Sequence, residues 1–156
     1  MTPRLLAFSI GGLILLAVIA YFALHSFGDG SDGERIAAAD VDHGRAVYDE
    51  NCAACHGADL KGEPGLDWRR RKADGTFPAP PHDETGHTWH HPDGQLVLMI
   101  ERGGQALLGQ DGVSGMPGFG DILSQGDIDS VLAYIKTSWP EHIRSRQAEI
   151  SALYGN

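Results

Sequence analysis

Cys52-Ala53-Ala54-Cys55-His56 reads C-x-x-C-H. Two thiols at this spacing can add to the two vinyl groups of one haem, and the adjacent histidine presents an imidazole to the iron. Other readings of a C-x-x-C pair fare worse. A zinc site needs two further ligands at tight spacing, and these are the only two cysteines of the chain. A thioredoxin-like dithiol sits beside a βαβ pattern, and no alternation of strand and helix is visible. A disulfide across two residues would be strained and would close almost no loop. The expectation is one covalently held haem with His56 as its proximal iron ligand.

Outward from the motif, the 156 residues leave room for one domain and an appendage. Leu5 to Leu24 is a run of twenty apolar or small residues, broken only by Ser9 and Gly11-Gly12. At ~1.5 Å per residue it spans ~30 Å, the thickness of a bilayer core. Arg4 and the amino terminus precede it, and the acidic stretch Gly28-Asp29-Gly30-Ser31-Asp32-Gly33-Glu34 follows. This asymmetry puts the amino end in the cytoplasm. Residues 1–27 are therefore expected to be a single-pass anchor in the cytoplasmic membrane, with the remainder on the periplasmic side. The alternative, a cleaved signal peptide, has an apolar core of ~7–15 residues and an A-x-A-like site. Leu24-His25-Ser26-Phe27 offers no such site. Residues 28–39 read as a flexible linker and 40–156 as the domain.

Residues 28–156 carry all 21 carboxylates and 11 of the 12 Lys and Arg, a formal charge of −10. Nucleic acid wants basic patches, so that class of partner is excluded. The surface suits a basic docking partner, because opposite potentials speed encounter. It is equally compatible with simple solubility.

Asp40 is a good N-cap for a helix to about Asn51, with Val41, Gly44, Val47 and Tyr48 on one face. Gly44 would let another helix approach closely. Residues 57–92 show little periodicity and many Gly, Pro and charged residues; a haem can replace a protein core beneath such a loop. Gln95 to Glu101 reads as helical and stops at Gly103-Gly104. A second loop leads to Met116-Pro117-Gly118-Phe119. Ser124 with Asp127 forms a capping box for a helix whose apolar face is Ile128, Val131, Leu132 and Ile135. A last helix is expected from Glu141 to about Leu153. No β-alternation is convincing, so the fold class is a small all-α domain plus the amino-terminal transmembrane helix.

The Gly44/Tyr48 helix, CAACH at 52–56, Met116-Pro-Gly-Phe and a later helix with Tyr134 resemble, in that order, the class I c-type cytochromes. The resemblance covers roughly residues 40–139. It implies one haem c wrapped by helices, a Gly/aromatic crossing of the first and last helices, and a loop methionine as sixth iron ligand. The stretch PAPPHDETGHTWHHPD, 78–93, resembles one in a subset of membrane-attached cytochromes and fixes no role.

Met116 is the best distal ligand. It lies 60 residues after His56 on a Gly-rich loop, and Pro117 stiffens the chain. Met99 sits in an apolar helical face, where methionine is more often core filler. The His56 Nδ1–H should donate to a backbone carbonyl, which fixes the tautomer and tunes the iron. The family resemblance implies a proline carbonyl, Pro80 or Pro81 first and Pro64 second. Trp68, Arg69 and Trp89 could face the haem propionates, although Arg69-Arg70-Arg71-Lys72 also reads as a solvated basic turn. His82, His87, His90 and His91 put four imidazoles within ten residues. They suit loop or haem-edge roles, a copper or zinc site, or an alternative iron ligand.

His/Met ligation leaves no open iron position and raises the potential, which favours electron transfer over catalysis. The expected function is a membrane-tethered carrier of single electrons, not an enzyme. Its partners would be a quinol-oxidising complex or dehydrogenase as donor and a terminal oxidase or reductase as acceptor. A copper-handling role for the histidine loop and a haem-based redox or gas sensor are the alternatives.

Overall fold

In the computed structural model, which describes residues 31–108 and 113–154, the histidine of the C-x-x-C-H motif sits at the end of a short helix fed by a longer one. The described residues hold seven α-helices and no strand, so the domain is all-α. They are α1 (Asp32–Ala37), α2 (Val41–Asn51), α3 (Ala53–His56), α4 (Asp93–Arg102), α5 (Gly104–Leu108), α6 (Gln125–Thr137) and α7 (Glu141–Tyr154). A 3-10 turn, Thr88–His90, precedes α4. Among the described residues no helix is long and apolar enough to cross a membrane. The anchor expected over 1–27 lies outside them.

Helix α2 starts where the sequence predicts. The Asp40 side chain accepts from the Asp42 and His43 amides at 3.0 and 3.1 Å, which satisfies two of the orphan donors of the first turn. Its buried face, Gly44, Val47 and Tyr48, crosses α6. A Cβ on Gly44 would lie 1.9 Å from the Ser130 carbonyl oxygen and 3.1 Å from the Tyr134 Cβ. Only a residue with no side chain permits this approach. The Tyr48 and Tyr134 rings close the crossing at 5.4 Å. The Val131 and Tyr48 side chains here are fully buried.

The stretch 28–39, expected as a flexible linker, contains α1. Ile36 is 1 % exposed in the core, and Arg35 pairs with Asp32 and with the buried Asp129 of α6 at 3.1 Å. One isoleucine among charged and small residues gives no periodicity to read, yet one buried side chain and one ion pair are enough to dock two turns. Helix α4 begins at Asp93, two residues earlier than expected. Asp93 is buried and satisfied by Lys136 at 2.6 Å, by Gln147 at 2.7 Å and, through its amide, by Ser151 at 3.0 Å. That network ties α4 to α6 and α7.

The capping box of α6 is present. Ser124 Oγ accepts from the Asp127 amide at 3.2 Å, and the Asp127 carboxylate accepts from the Ser124 amide at 2.9 Å. The Ser124 hydroxyl and His43, beside it at 2.6 Å, pull the Asp127 carboxyl down to about 2. Ser124→Ala is expected to cost about 1 kcal/mol, read as a lower denaturant midpoint at unchanged slope. A group depressed in the folded state stabilises above its ordinary value. The Asp127 contribution should therefore be complete above about pH 4 and be lost as the pH falls through about 2.

Candidate functional site

Helix α2 ends at Asn51, and Cys52 links it to the single turn α3. This joint sets the three motif side chains. Cys52 is half-buried and Cys55 exposed, both as free thiols, while His56 is buried at 7 % exposure. Burial, with Cys55 nearby, pushes the Cys52 thiol up to about 11.

His56 is oriented by the loop that follows. Its Nδ1–H donates to the Pro80 carbonyl at 2.9 Å. Burial pulls the imidazole below its ordinary value, and the Pro80 carbonyl offsets part of this. The ring is therefore neutral near pH 7, with the proton on Nδ1 and a lone pair on Nε2, as a metal ligand requires. Of the carbonyls expected to serve, Pro80 holds the ring, and Pro64 is exposed.

Chain segments from far away fix the Pro80 loop. The Leu60 carbonyl accepts from the His82 amide at 2.7 Å. The His82 carbonyl accepts from Trp139 Nε1 at 2.7 Å and from the Ser138 hydroxyl at 3.3 Å. Trp139, 2 % exposed, thus ties the end of α6 to the loop behind His56. Sequence reasoning passed over it, because a tryptophan just before Pro140 reads only as a helix end. Tyr48 adds a second tie, its hydroxyl donating to the Gly57 carbonyl at 2.8 Å.

His82 is drawn out of the histidine cluster. Its ring stacks on His56, centroids 4.1 Å apart at 23°, and its Nδ1 pairs with Thr88 Oγ1 at 2.8 Å. Burial and the adjacent His56 hold its imidazole well below the ordinary value. His90 stacks on Trp89 at 3.7 Å. His87 and His91 approach each other. The four imidazoles do not converge, and among the described residues no three His, Cys, Asp or Glu are grouped to hold a metal ion.

The segment carrying Met116 is pinned to the end of α4. The Phe119 amide donates to the Ile100 carbonyl at 2.9 Å, the Gly120 amide to the Glu101 carbonyl at 3.0 Å, and the Gly104 amide to the Met116 carbonyl at 3.1 Å. Gly103 adopts φ +79°, and a Cβ there would lie 2.7 Å from the Gly118 nitrogen and 2.8 Å from the Met116 oxygen. Gly103-Gly104 is therefore a seat for the methionine segment as well as the helix stop the sequence suggests, and α5 follows it at once. Met116, Phe119, Leu123 and Trp89 pack against the core half-buried.

Trp68 lies 4.6 Å from the Arg69 guanidinium and 5.3 Å from the His87 ring. Trp89 Nε1 donates to the Glu84 carbonyl at 3.4 Å. These side chains have protein partners. Lys72 pairs with Glu63 at 3.3 Å and Arg71 covers Phe77, so the basic turn is held down locally.

The donor set fits a covalently tethered haem. Two free thiols flank one turn, the adjoining imidazole is neutral with one nitrogen committed, and the loops around it carry half-buried apolar side chains. The family model described as Cytochrome c matches residues 41–139. No curated protein and no solved structure matches the chain.

Proposed function

The chain belongs to the cytochrome c family, and from that premise we propose that it carries single electrons between respiratory redox proteins while tethered to the cytoplasmic membrane. Its cofactor is one covalently bound haem c, and its activity is haem-based electron transfer. When bound, the haem iron takes up and releases one electron between its ferric and ferrous states. Every other task falls to the chain.

Cys52 and Cys55 would hold the group through two thioethers, each made by adding one S–H across one vinyl C=C so that a C–S and a C–H bond form with no other reactant. His56 would offer Nε2 to the iron, because its Nδ1–H is given to Pro80. Met116, on the segment seated on Gly103-Gly104, would be the second protein ligand to the iron. With His56 and Met116 both holding the iron, no position would be left for a substrate, which favours carrier over enzyme or gas sensor. Trp68, Arg69 and Trp89 would contribute to the haem surroundings. The observation that carries this reading is His56 itself: next to Cys55, buried, and fixed in one tautomer by Pro80.

Residues 1–27 form the anchor, a few residues lead from it to the domain, which begins with α1 at Asp32, and the domain faces the periplasm. The acidic surface of that domain suits docking on basic faces of a quinol-oxidising complex or dehydrogenase and of a terminal oxidase or reductase. A tether raises the effective concentration at such partners.

Two outcomes test the proposal. Met116→Ala is expected to lower the haem reduction potential by a sizeable share of the ~0.8 V over which axial ligands move it, with the thioether links intact. An unchanged potential would remove Met116 from the iron. In cell fractionation the full chain is expected in the membrane pellet after a high-salt wash, and a chain beginning at Gly28 behind a cleavable export signal in the soluble periplasm. Release of the full chain by salt alone would refute the anchor.

A further inference from the structure

Among the described residues, His87 and His91 meet in the geometry of a ligand pair. Their Nε2 atoms are 3.2 Å apart, and their rings stand at 84° with centroids 4.7 Å apart. Two imidazoles that bind one tetrahedral ion at ~2.0–2.1 Å have nitrogens about 3.3–3.4 Å apart. The observed separation is within about 0.2 Å of that edge. A hydrogen bond between the two Nε2 atoms needs one ring to carry its proton there, and both nitrogens become lone-pair donors once that proton leaves.

The backbone beneath the pair is held on both sides. The two residues flank the Thr88–His90 turn, whose His90 amide donates to the His87 carbonyl at 3.1 Å and whose His91 amide lies 3.2 Å from the Thr88 carbonyl. Thr88 is buried, with Oγ1 on His82. The His91 carbonyl accepts from Gln147 Nε2 at 3.2 Å, and Gln147 is 1 % exposed. Trp68 packs on the His87 ring at 5.3 Å and limits its rotation. Both imidazoles still reach solvent: His87 is exposed and His91 half-exposed. An ion could enter without opening the fold.

We propose that His87 and His91 together bind one divalent transition-metal ion at the protein surface, Cu2+ more tightly than Ni2+ or Zn2+. The order follows from nitrogen donors and the intrinsic affinity series of these ions. Among the described residues no third His, Cys, Asp or Glu joins the pair, so water fills the remaining positions and the ion exchanges readily. His90 is not a ligand, because its ring is stacked on Trp89. The ion binds to the two neutral imidazoles as the ring proton on the Nε2 that donates in the pair passes to the solvent or to the ring's own Nδ1, and no electron moves in the step. The site lies on the same loop as Pro80 and His82, which hold and stack on His56.

The test uses the haem-loaded full chain in detergent, titrated with Cu2+ alone and followed by calorimetry and by the Cu2+ electron paramagnetic resonance signal. One equivalent is expected, with hyperfine structure from two nitrogens. His87→Ala and His91→Ala should each weaken binding by about tenfold or more, and His90→Ala should leave it unchanged. His87→Gln and His91→Gln, which keep a polar side chain of similar reach, serve as a second pair. An unaltered haem spectrum and melting temperature in each variant shows that the fold is intact. No saturable binding would overturn the proposal. So would binding that survives the double variant or is lost equally in His90→Ala.

Discussion

Replacing Cys52 and Cys55 together with serine is expected to yield a chain from which solvent extracts all of the haem. The two serines retain shape but cannot form thioethers, and the chain has no other cysteine. His56 and Met116 alone would then hold the group by exchangeable bonds. The cost extends to the fold. Residues 57–87 form no helix, and Leu66, Phe77 and Ile122 are exposed, so much of the chain between α3 and α6 depends on what it wraps. A ligand present only in the folded state stabilises it by mass action, about 4 kcal/mol at a thousandfold excess over its dissociation constant, and a covalent link makes that contribution permanent. Each single serine variant should keep one thioether and most of the haem. Haem staining of the denatured chain, with peptide mass, distinguishes the three. Haem that stays with the double variant through denaturation would disprove attachment at the motif.

Gly44→Ala is expected to destabilise the domain by about 3 kcal/mol or more, far above the effect of alanine at an ordinary helical position. Helix propensity alone predicts a gain of about 1 kcal/mol, so the sign of the result discriminates. The new methyl carbon would sit 1.9 Å from the Ser130 carbonyl oxygen, an atom of the α6 backbone that no rotamer change can move. The two helices would have to separate, opening the buried contact of Tyr48, Val131 and Tyr134. Because α2 delivers the motif and α6 ends at Ser138 and Trp139, which hold the His82 loop, the displacement would also reach His56. A lower denaturant midpoint together with a shifted haem spectrum is the expected pair of results. A more stable variant would mean that the helices do not cross at Gly44.

Much of this was legible where a local signal and a tertiary role coincide. Asp40 and the Ser124/Asp127 pair mark helix starts by satisfying amides that would otherwise be bare, and both caps are present. Gly44 and Tyr48 mark a close crossing because a small residue and an aromatic share a face. The histidine of C-x-x-C-H is legible for the same reason, adjacency being enough to place it.

Other parts were not legible, since what decides them is distant in sequence. Helix α1 reads as linker in the sequence, since its single core residue, Ile36, is recognised only by the helices it meets. Gly103-Gly104 reads as a stop, and its second task, seating residues 116–118, depends on a segment a dozen residues on. The four histidines read as one cluster, yet three different neighbours, His56, Trp89 and His87, claim His82, His90 and His91. Proximity in sequence gave the imidazoles, but not their partners.

The most direct measurement is a potentiometric titration of the haem-loaded full chain, followed by its haem absorbance. The account predicts one reversible transition with a one-electron slope of about 59 mV per decade, at a clearly positive potential. A strongly negative potential, or no reversible transition, would contradict it, because His56 and Met116 would then not be the pair that holds the iron.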